Sequence, residues 1–167
     1  MPAESELRRL RVGSGFDLHP LSTDPRRRFV LAGVEVALSH GPMGHSDADV
    51  VSHAIADAIL GAAGLGGIGD YFPASDPALA GADSVKLLAR CVRMVTDAGF
   101  EILNADATVI LQAPRLAPYR SAMEAKMTEV LGAPTCVKAK SPEGVGPLGK
   151  AEAVVCTASL LLLAPRP

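Results

Sequence analysis

The chain has 167 residues, 49% of them apolar and 20% charged, with a net charge of −2. That length fits one domain with a real core, and the near balance of charge gives no electrostatic case for nucleic acid or an anionic membrane. Trp is absent, aromatic residues make up 4% of the chain, and no apolar run approaches the roughly 20 residues of a membrane helix, so a stacking platform and a spanning segment are both disfavoured.

Residues 1–9 lack the apolar core of a signal peptide and read as a short tail ahead of a domain spanning 10–167. Leu10 to Asp17 reads as a strand. After the basic cluster Arg26 to Arg28, which suits a solvated turn, FVLAGVEVAL reads as two short strands turning at Ala32-Gly33. Apolar residues then recur at helical spacing from about Ala48 to Leu65, along the stripe Val51, Ile55, Ala58 and Ala62. Ser46 or Asp47 is placed to cap that helix, and the glycines from Gly64 end it.

GGIGDYFPASDPALAGAD is a glycine- and proline-rich loop. A second helix follows over Ser84 to Ala98, with Val85, Leu88, Val92 and Val95 on one stripe and Gly99 as its stop. Glu101 to Gln112 reads as a strand with Leu103, Ala105, Ala107, Val109 and Leu111 on one face. Asn104, Asp106 and Thr108 take the other. A third helix runs from near Pro118 to Leu131-Gly132. Thr135 to Lys140 and Ala151 to Leu163 are the last strands, on either side of the loop SPEGVGPLGK.

This order predicts a single layered α/β (α+β) domain, a mixed sheet with helices on one face. A sheet face carrying Asn, Asp and Thr is not expected to lie under the chain's own helices. Facing other subunits around an axis is one use for it. The cysteines Cys91, Cys136 and Cys156 are far apart and form no C-x-x-C pair, so they read as buried free thiols in a reducing cytoplasm.

Two stretches carry metal-capable groups. In GSGFDLHPL, Asp17 and His19 are two residues apart, so on a strand they point to the same side. In the first helix, Asp49, His53 and Asp57 lie at i, i+4 and i+8 and line one face. Asp17, His19 and His53 would supply the carboxylate and imidazoles of a three-ligand zinc site with one open position. Asp49 and Asp57 are placed to orient His53 through its second ring nitrogen. Spacing alone also fits a polar strand end and an unrelated helix, because nothing local brings the two segments together.

GSGFDLH, HSDADVVSHAIADAILGAAGLGGIGDYFP, GADSVKLL and QAPRL, in that order over residues 11–163, resemble the 2-C-methyl-D-erythritol 2,4-cyclodiphosphate synthase family. The resemblance implies a homotrimer whose sheets face a three-fold axis, with active sites between subunits. The implied reaction cyclises a cytidine diphosphate substrate, 4-diphosphocytidyl-2-C-methyl-D-erythritol 2-phosphate. CMP is released, on the non-mevalonate route to isoprenoids.

It further implies Zn2+ on Asp17, His19 and His53, and a second divalent ion, Mg2+ or Mn2+, on Glu143. His45 and Ser46 match a mobile loop that closes over the substrate's 2-phosphate and methylerythritol. Apart from the resemblance, the place of Asp57 on the helix face also suits it to assist the reacting group in place of orienting His53. Lys140 and Ser141 match positions contacting the nucleotide phosphates. Ala113, Pro114, Arg115 and Leu116 match the cytosine pocket, and the loop holding Gly67 and Gly69 passes near the ribose.

Several positions depart from the family pattern. Gly67 and Ala74 stand where aspartates are usual, Lys140-Ser141-Pro142 replaces a run of threonines, and Pro147 and Lys150 replace an aromatic residue and an arginine. These departures leave open two other readings: a zinc-dependent phosphoesterase with Asp57 as base, and a non-catalytic trimeric nucleotide-binding protein.

Overall fold

A computed structural model describes residues 4–38 and 40–166, so part of the expected N-terminal tail, residues 1–3, lies outside the described residues. Within that tail, α1 (Glu4–Leu7) is a single helical turn. The first strand, β1 (Leu10–Pro20), runs three residues beyond the expected Asp17 and carries His19 on the same rigid element. β2 (Val30–Leu31) and β3 (Val34–Glu35) form the expected hairpin. Its turn residues Ala32 and Gly33 have φ of 52° and 72°, the doubly positive pattern that two-residue hairpin turns favour.

The helices α2 (Val50–Ala62), α4 (Ser84–Asp97) and α5 (Arg120–Leu131) match the periodic segments. The strands β4 (Glu101–Ile110), β5 (Thr135–Lys140) and β6 (Ala153–Leu163) match as well. The two glycine-proline loops are not wholly irregular. They hold the short turns α3 (Ile68–Tyr71) and α6 (Gly146–Gly149) and a 3-10 turn at Pro77–Leu79. The cap of α2 is Asp49, not Ser46 or Asp47: its carboxylate accepts from the N–H groups of Val51 and Ser52. α5 ends on Gly132 at φ 65°, a left-handed stop that glycine adopts without strain.

The main sheet has the strand order β1-β6-β4-β5, with β4 and β5 parallel and the other pairs antiparallel. The last strand of the chain thus lies between the first and β4. A register shift between Ile102 and Asn104 bulges β4. Ile102 and Ala105 therefore face the core, while Leu103, expected there, is only half-buried.

The helices cover one face, and α2 lies along β1 and β6. The fit against β1 depends on two glycines. A Cβ on Gly13 would lie 1.9 Å from the Ala58 carbonyl oxygen, and one on Gly15 would lie 1.8 Å from that of Ala54. With hydrogen in those places, helix backbone rests on strand backbone. Ile55, Ile59, Leu88, Met123, Met127 and Leu162 fill the core around this contact.

The other face of the sheet is bare. Val12, Phe16 and Leu18 stand 77%, 59% and 47% exposed on it, among Asp106, Thr108, Thr157 and Ser159. Cys91 and Cys156 are buried thiols as expected. Cys136 is exposed, because its position on β5 alternates away from buried Val137. No helix among the described residues is long and apolar enough to cross a membrane.

Two glycine substitutions should move stability in opposite directions. Gly15→Ala forces the helix off the strand and is expected to cost about 3 kcal/mol or more, the upper range for overpacking. Gly61, inside α2 with no neighbour in the path of a Cβ, should accept Ala with a gain of up to about 1 kcal/mol. Urea midpoints of the two variants check both values.

Candidate metal centre

Asp17 and His19 follow Gly13 and Gly15 at every second position, so all four residues share the face of β1 that α2 covers. His53 comes from the first turns of α2, which the glycine contact lays against the strand. The result is one cluster. Asp17 Oδ2 is 2.9 Å from His53 Nδ1 and 3.2 Å from His19 Nε2, and the two ring nitrogens are 3.5 Å apart.

Hydrogen bonds behind the rings fix which atoms face the cluster. His19 Nδ1 lies 2.7 Å from the Met43 carbonyl oxygen, which only accepts, so Nδ1 carries the proton and Nε2 presents a lone pair. His53 Nε2 lies 2.9 Å from Ser84 Oγ and 3.2 Å from Ser46 Oγ. Ser84 Oγ donates its own proton to the Asp47 carboxylate, so it accepts from His53 Nε2–H. That leaves Nδ1 of His53 as a second lone pair.

Three acceptor atoms therefore point at one another, and only a cation between them, a proton or a metal ion, makes the arrangement favourable. One carboxylate and two neutral imidazoles are a suitable donor set for zinc, with a fourth position left open. Among the described residues this is the one group of three such side chains close enough to share an ion.

The electrostatics agree. Burial pushes the Asp17 carboxyl upward, but hydrogen bonds and charge from His19 and His53 outweigh it and hold the group well below the usual carboxylate range. Burial pulls His19 down, and the hydrogen bond and charge of Asp17 outweigh that and hold it above its ordinary value.

The expected support from Asp49 and Asp57 is not found. Asp49 is fully buried and faces away. Its carboxylate takes hydrogen bonds from the N–H groups of Ala32, Gly33, Val51 and Ser52 and from Ser52 Oγ, which ties the β2–β3 turn to the head of α2. Asp57 Oδ1 accepts the Ile68 N–H at 2.7 Å and anchors the loop after α2. Serine hydroxyls take the place assigned to these carboxylates.

Sequence reasoning identified Ser84 only as the start of a helix and Asp47 only as a possible cap. No local pattern links Ser84 to His53, 31 residues earlier.

The remaining expected site residues divide into groups. Ser46 joins the cluster, while His45 turns away and its Nε2 donates to the Asp76 carbonyl oxygen at 2.6 Å. Pro114, Arg115, Leu116, Lys140, Ser141 and Glu143 line one cavity of about 410 Å³. Ala113, joined to Pro114 by a cis peptide, lies in the same turn. Gly69 has open space around it. At Gly67 a Cβ would come 3.1 Å from Asp57 Oδ1, and the Gly67 N–H is taken by Asp70 Oδ2 at 2.8 Å.

Within one chain the cluster and the cavity lie at the same end of the sheet but on opposite edges. Leu18, Val155, Ile110 and Lys140 form one row across the four strands. Three strand spacings separate β1 from β5, about 14 Å.

These features define an α/β protein with three side chains placed to hold a metal ion and a separate polar cavity. The chain belongs to the YgbB family, whose model matches residues 10–163. Curated relatives include the 2-C-methyl-D-erythritol 2,4-cyclodiphosphate synthases of Ralstonia pickettii, 51% identical, and Cupriavidus metallidurans, 49% identical. Each match covers 92% of both chains.

The IspF of Plasmodium falciparum in complex with CDP is 30% identical at a TM-score of 0.80, over 94% of this chain and 97% of that one. The bifunctional IspDF of Campylobacter jejuni is 36% identical at a TM-score of 0.88. That match covers 93% of this chain and 42% of the longer one.

Ser84→Ala should weaken zinc binding by about 10- to 100-fold while the fold persists, the usual effect of removing a partner behind a ligating histidine. His53→Ala should abolish stoichiometric zinc. Because His19 takes up its proton at a higher pH than the ordinary 6.5, and a metal must displace that proton, affinity should hold at high pH and begin to fall, as pH is lowered, while still above that value. Chelator competition across pH measures all three.

Proposed function

We propose that this chain converts 4-diphosphocytidyl-2-C-methyl-D-erythritol 2-phosphate to 2-C-methyl-D-erythritol 2,4-cyclodiphosphate and CMP. This is a lyase-type step of the non-mevalonate isoprenoid route. The observation that carries the reading is the Asp17–His19–His53 cluster, with its lone pairs turned inward, in a chain about half identical to curated synthases.

In this reaction the substrate's 2-phosphate attacks its own β-phosphorus, and CMP departs with the electrons of the cleaved P–O bond. Both phosphates are anionic, so the protein's work is to hold them together against repulsion. Zinc on Asp17, His19 and His53, and Mg2+ or Mn2+ beside Glu143, would supply Lewis-acid polarisation and charge neutralisation. Pro114, Arg115 and Leu116, with Ala113, form the wall for the cytosine. Lys140 adds a fixed positive charge and Ser141 a hydroxyl at the phosphates, and the Gly67–Gly69 backbone passes beside the ribose. Ser46, bonded to His53, borders the 2-phosphate end, and His45, here bonded to the Asp76 carbonyl, would have to swing toward it.

A homotrimer completes this site. A single diphosphate cannot span both the metal cluster and the Glu143 cavity of one chain, about 14 Å apart by strand spacing. Association through the bare sheet face would bring one protomer's cluster to another's cavity, and it would cover Val12, Phe16 and Leu18. The catalytic domain is the part from residue 10 onward, with Arg9 bonded to it through Ala164. The free cysteines suit a reducing cytoplasm. The phosphoesterase reading needs a free base near a metal-bound water, and Asp57 Oδ1 is already engaged by Ile68.

Incubation with the diphosphocytidyl substrate should yield cyclic diphosphate and CMP in equal amounts. Linear phosphorylated products would instead support the esterase, and no turnover would support a binding protein. Glu143→Gln should keep zinc but lower turnover by at least about 100-fold. Phe16→Asp should dissociate the trimer in sedimentation and remove activity with it.

A further inference from the structure

The carbonyl that orients His19 belongs to Met43, which follows buried Pro42 but whose own side chain is 46% exposed and gives the peptide no apolar anchor. Polar contacts hold this peptide in place. The Met43 N–H donates to the Pro20 carbonyl oxygen at 2.8 Å, and the Gly41 N–H donates to that of Arg27, also at 2.8 Å. The half-buried Arg27 side chain then closes the arrangement. Its Nη1 lies 3.3 Å from the Pro42 carbonyl oxygen and 3.2 Å from that of Gly44, the residues on either side of Met43.

Gly44 presents bare backbone to the imidazole. A Cβ there would come 3.0 Å from His19 Cε1. Neighbouring arginines are engaged elsewhere, Arg26 with Asp24 and Arg28 with Glu35. Arg27 alone of the three reaches this loop among the described contacts.

We propose that Arg27 is a positioning residue for the metal centre. By gripping the carbonyls before and after Met43, its guanidinium fixes the direction of the Met43 carbonyl. That carbonyl in turn fixes the proton on His19 Nδ1 and aims Nε2 at the ion. Arg27 makes no hydrogen bond to a ligand atom; it acts through this loop, and its charge also opposes protonation of His19. The inference rests on the metal reading of the cluster.

The test compares wild type, Arg27→Met and Arg27→Lys, each stripped and then titrated with zinc against a chelator. The Co2+ absorption spectrum and the urea midpoint of the metal-free protein are recorded alongside. Methionine keeps an unbranched apolar stem without donors, and lysine keeps a donor.

The expected result is a 10- to 100-fold loss of zinc affinity in Arg27→Met, about the size seen for partners behind a ligand. The Co2+ spectrum should change, the metal-free midpoint should stay near wild type, and Arg27→Lys should recover most of the affinity. Wild-type affinity and spectrum in Arg27→Met would overturn the proposal. So would an affinity loss that merely follows a fallen midpoint and is not recovered by lysine. If Arg27→Met does not fold, Arg27→Gln, too short to bridge both carbonyls, takes its place and is read by the same affinity, Co2+ spectrum and midpoint. Failure of the wild type itself to bind one zinc per chain would sink the metal reading instead, a separate outcome.

Discussion

The site depends on a contact between bare backbones. Gly13 and Gly15 let the carbonyls of Ala58 and Ala54 come so close to β1 that no side chain fits between. This contact places His53 on the helix within reach of Asp17 and His19 on the strand. Alanine at either glycine would push the helix outward on the order of 1 Å, a displacement large enough to disable a reacting geometry. The sheet adds rigidity, because β1 is paired along its whole length with β6, and Asp17 and His19 sit in ladder positions opposite Cys156 and Val154.

On this frame, three chain segments deliver the partners that decide proton positions. The 41–44 loop supplies the Met43 carbonyl behind His19. The start of α4 supplies Ser84, backed by Asp47, behind His53. Asp49 binds neither ring, yet its carboxylate joins the β2–β3 turn to the α2 head and so fixes where the helix begins. The usual isolated-ligand picture is thus too small for this centre. Each ring is held at both nitrogens, and the inward-facing lone pairs follow from the outward-facing hydrogen bonds.

Much of the fold was legible in the sequence because its signals are local. The alternation along β1 put Asp17 and His19 on one side, and the period of the Val51–Ala62 stripe marked α2. The Ala32-Gly33 turn and the Gly132 stop were visible as single residues. Less legible were features set by distant segments. The insertion of β6 between β1 and β4 leaves no trace in either strand. The β4 bulge exchanged Leu103 for Ile102 in the core without a sequence marker. Helical spacing grouped Asp49 and Asp57 with His53, but backbone N–H groups from the β2–β3 turn and from Ile68 captured the two carboxylates first. Ser84 was missed because hydrogen bonding across the fold has no periodicity.

All three ligand atoms of the centre come from a single polypeptide. A newly folded copy is therefore able to take up its ion alone, before it meets any other. In the proposed trimer, metallation and association would be independent steps, and a mixed ring of filled and empty protomers would be a permitted species. Scarcity of the metal would then lower the number of working sites without lowering the number of assembled particles.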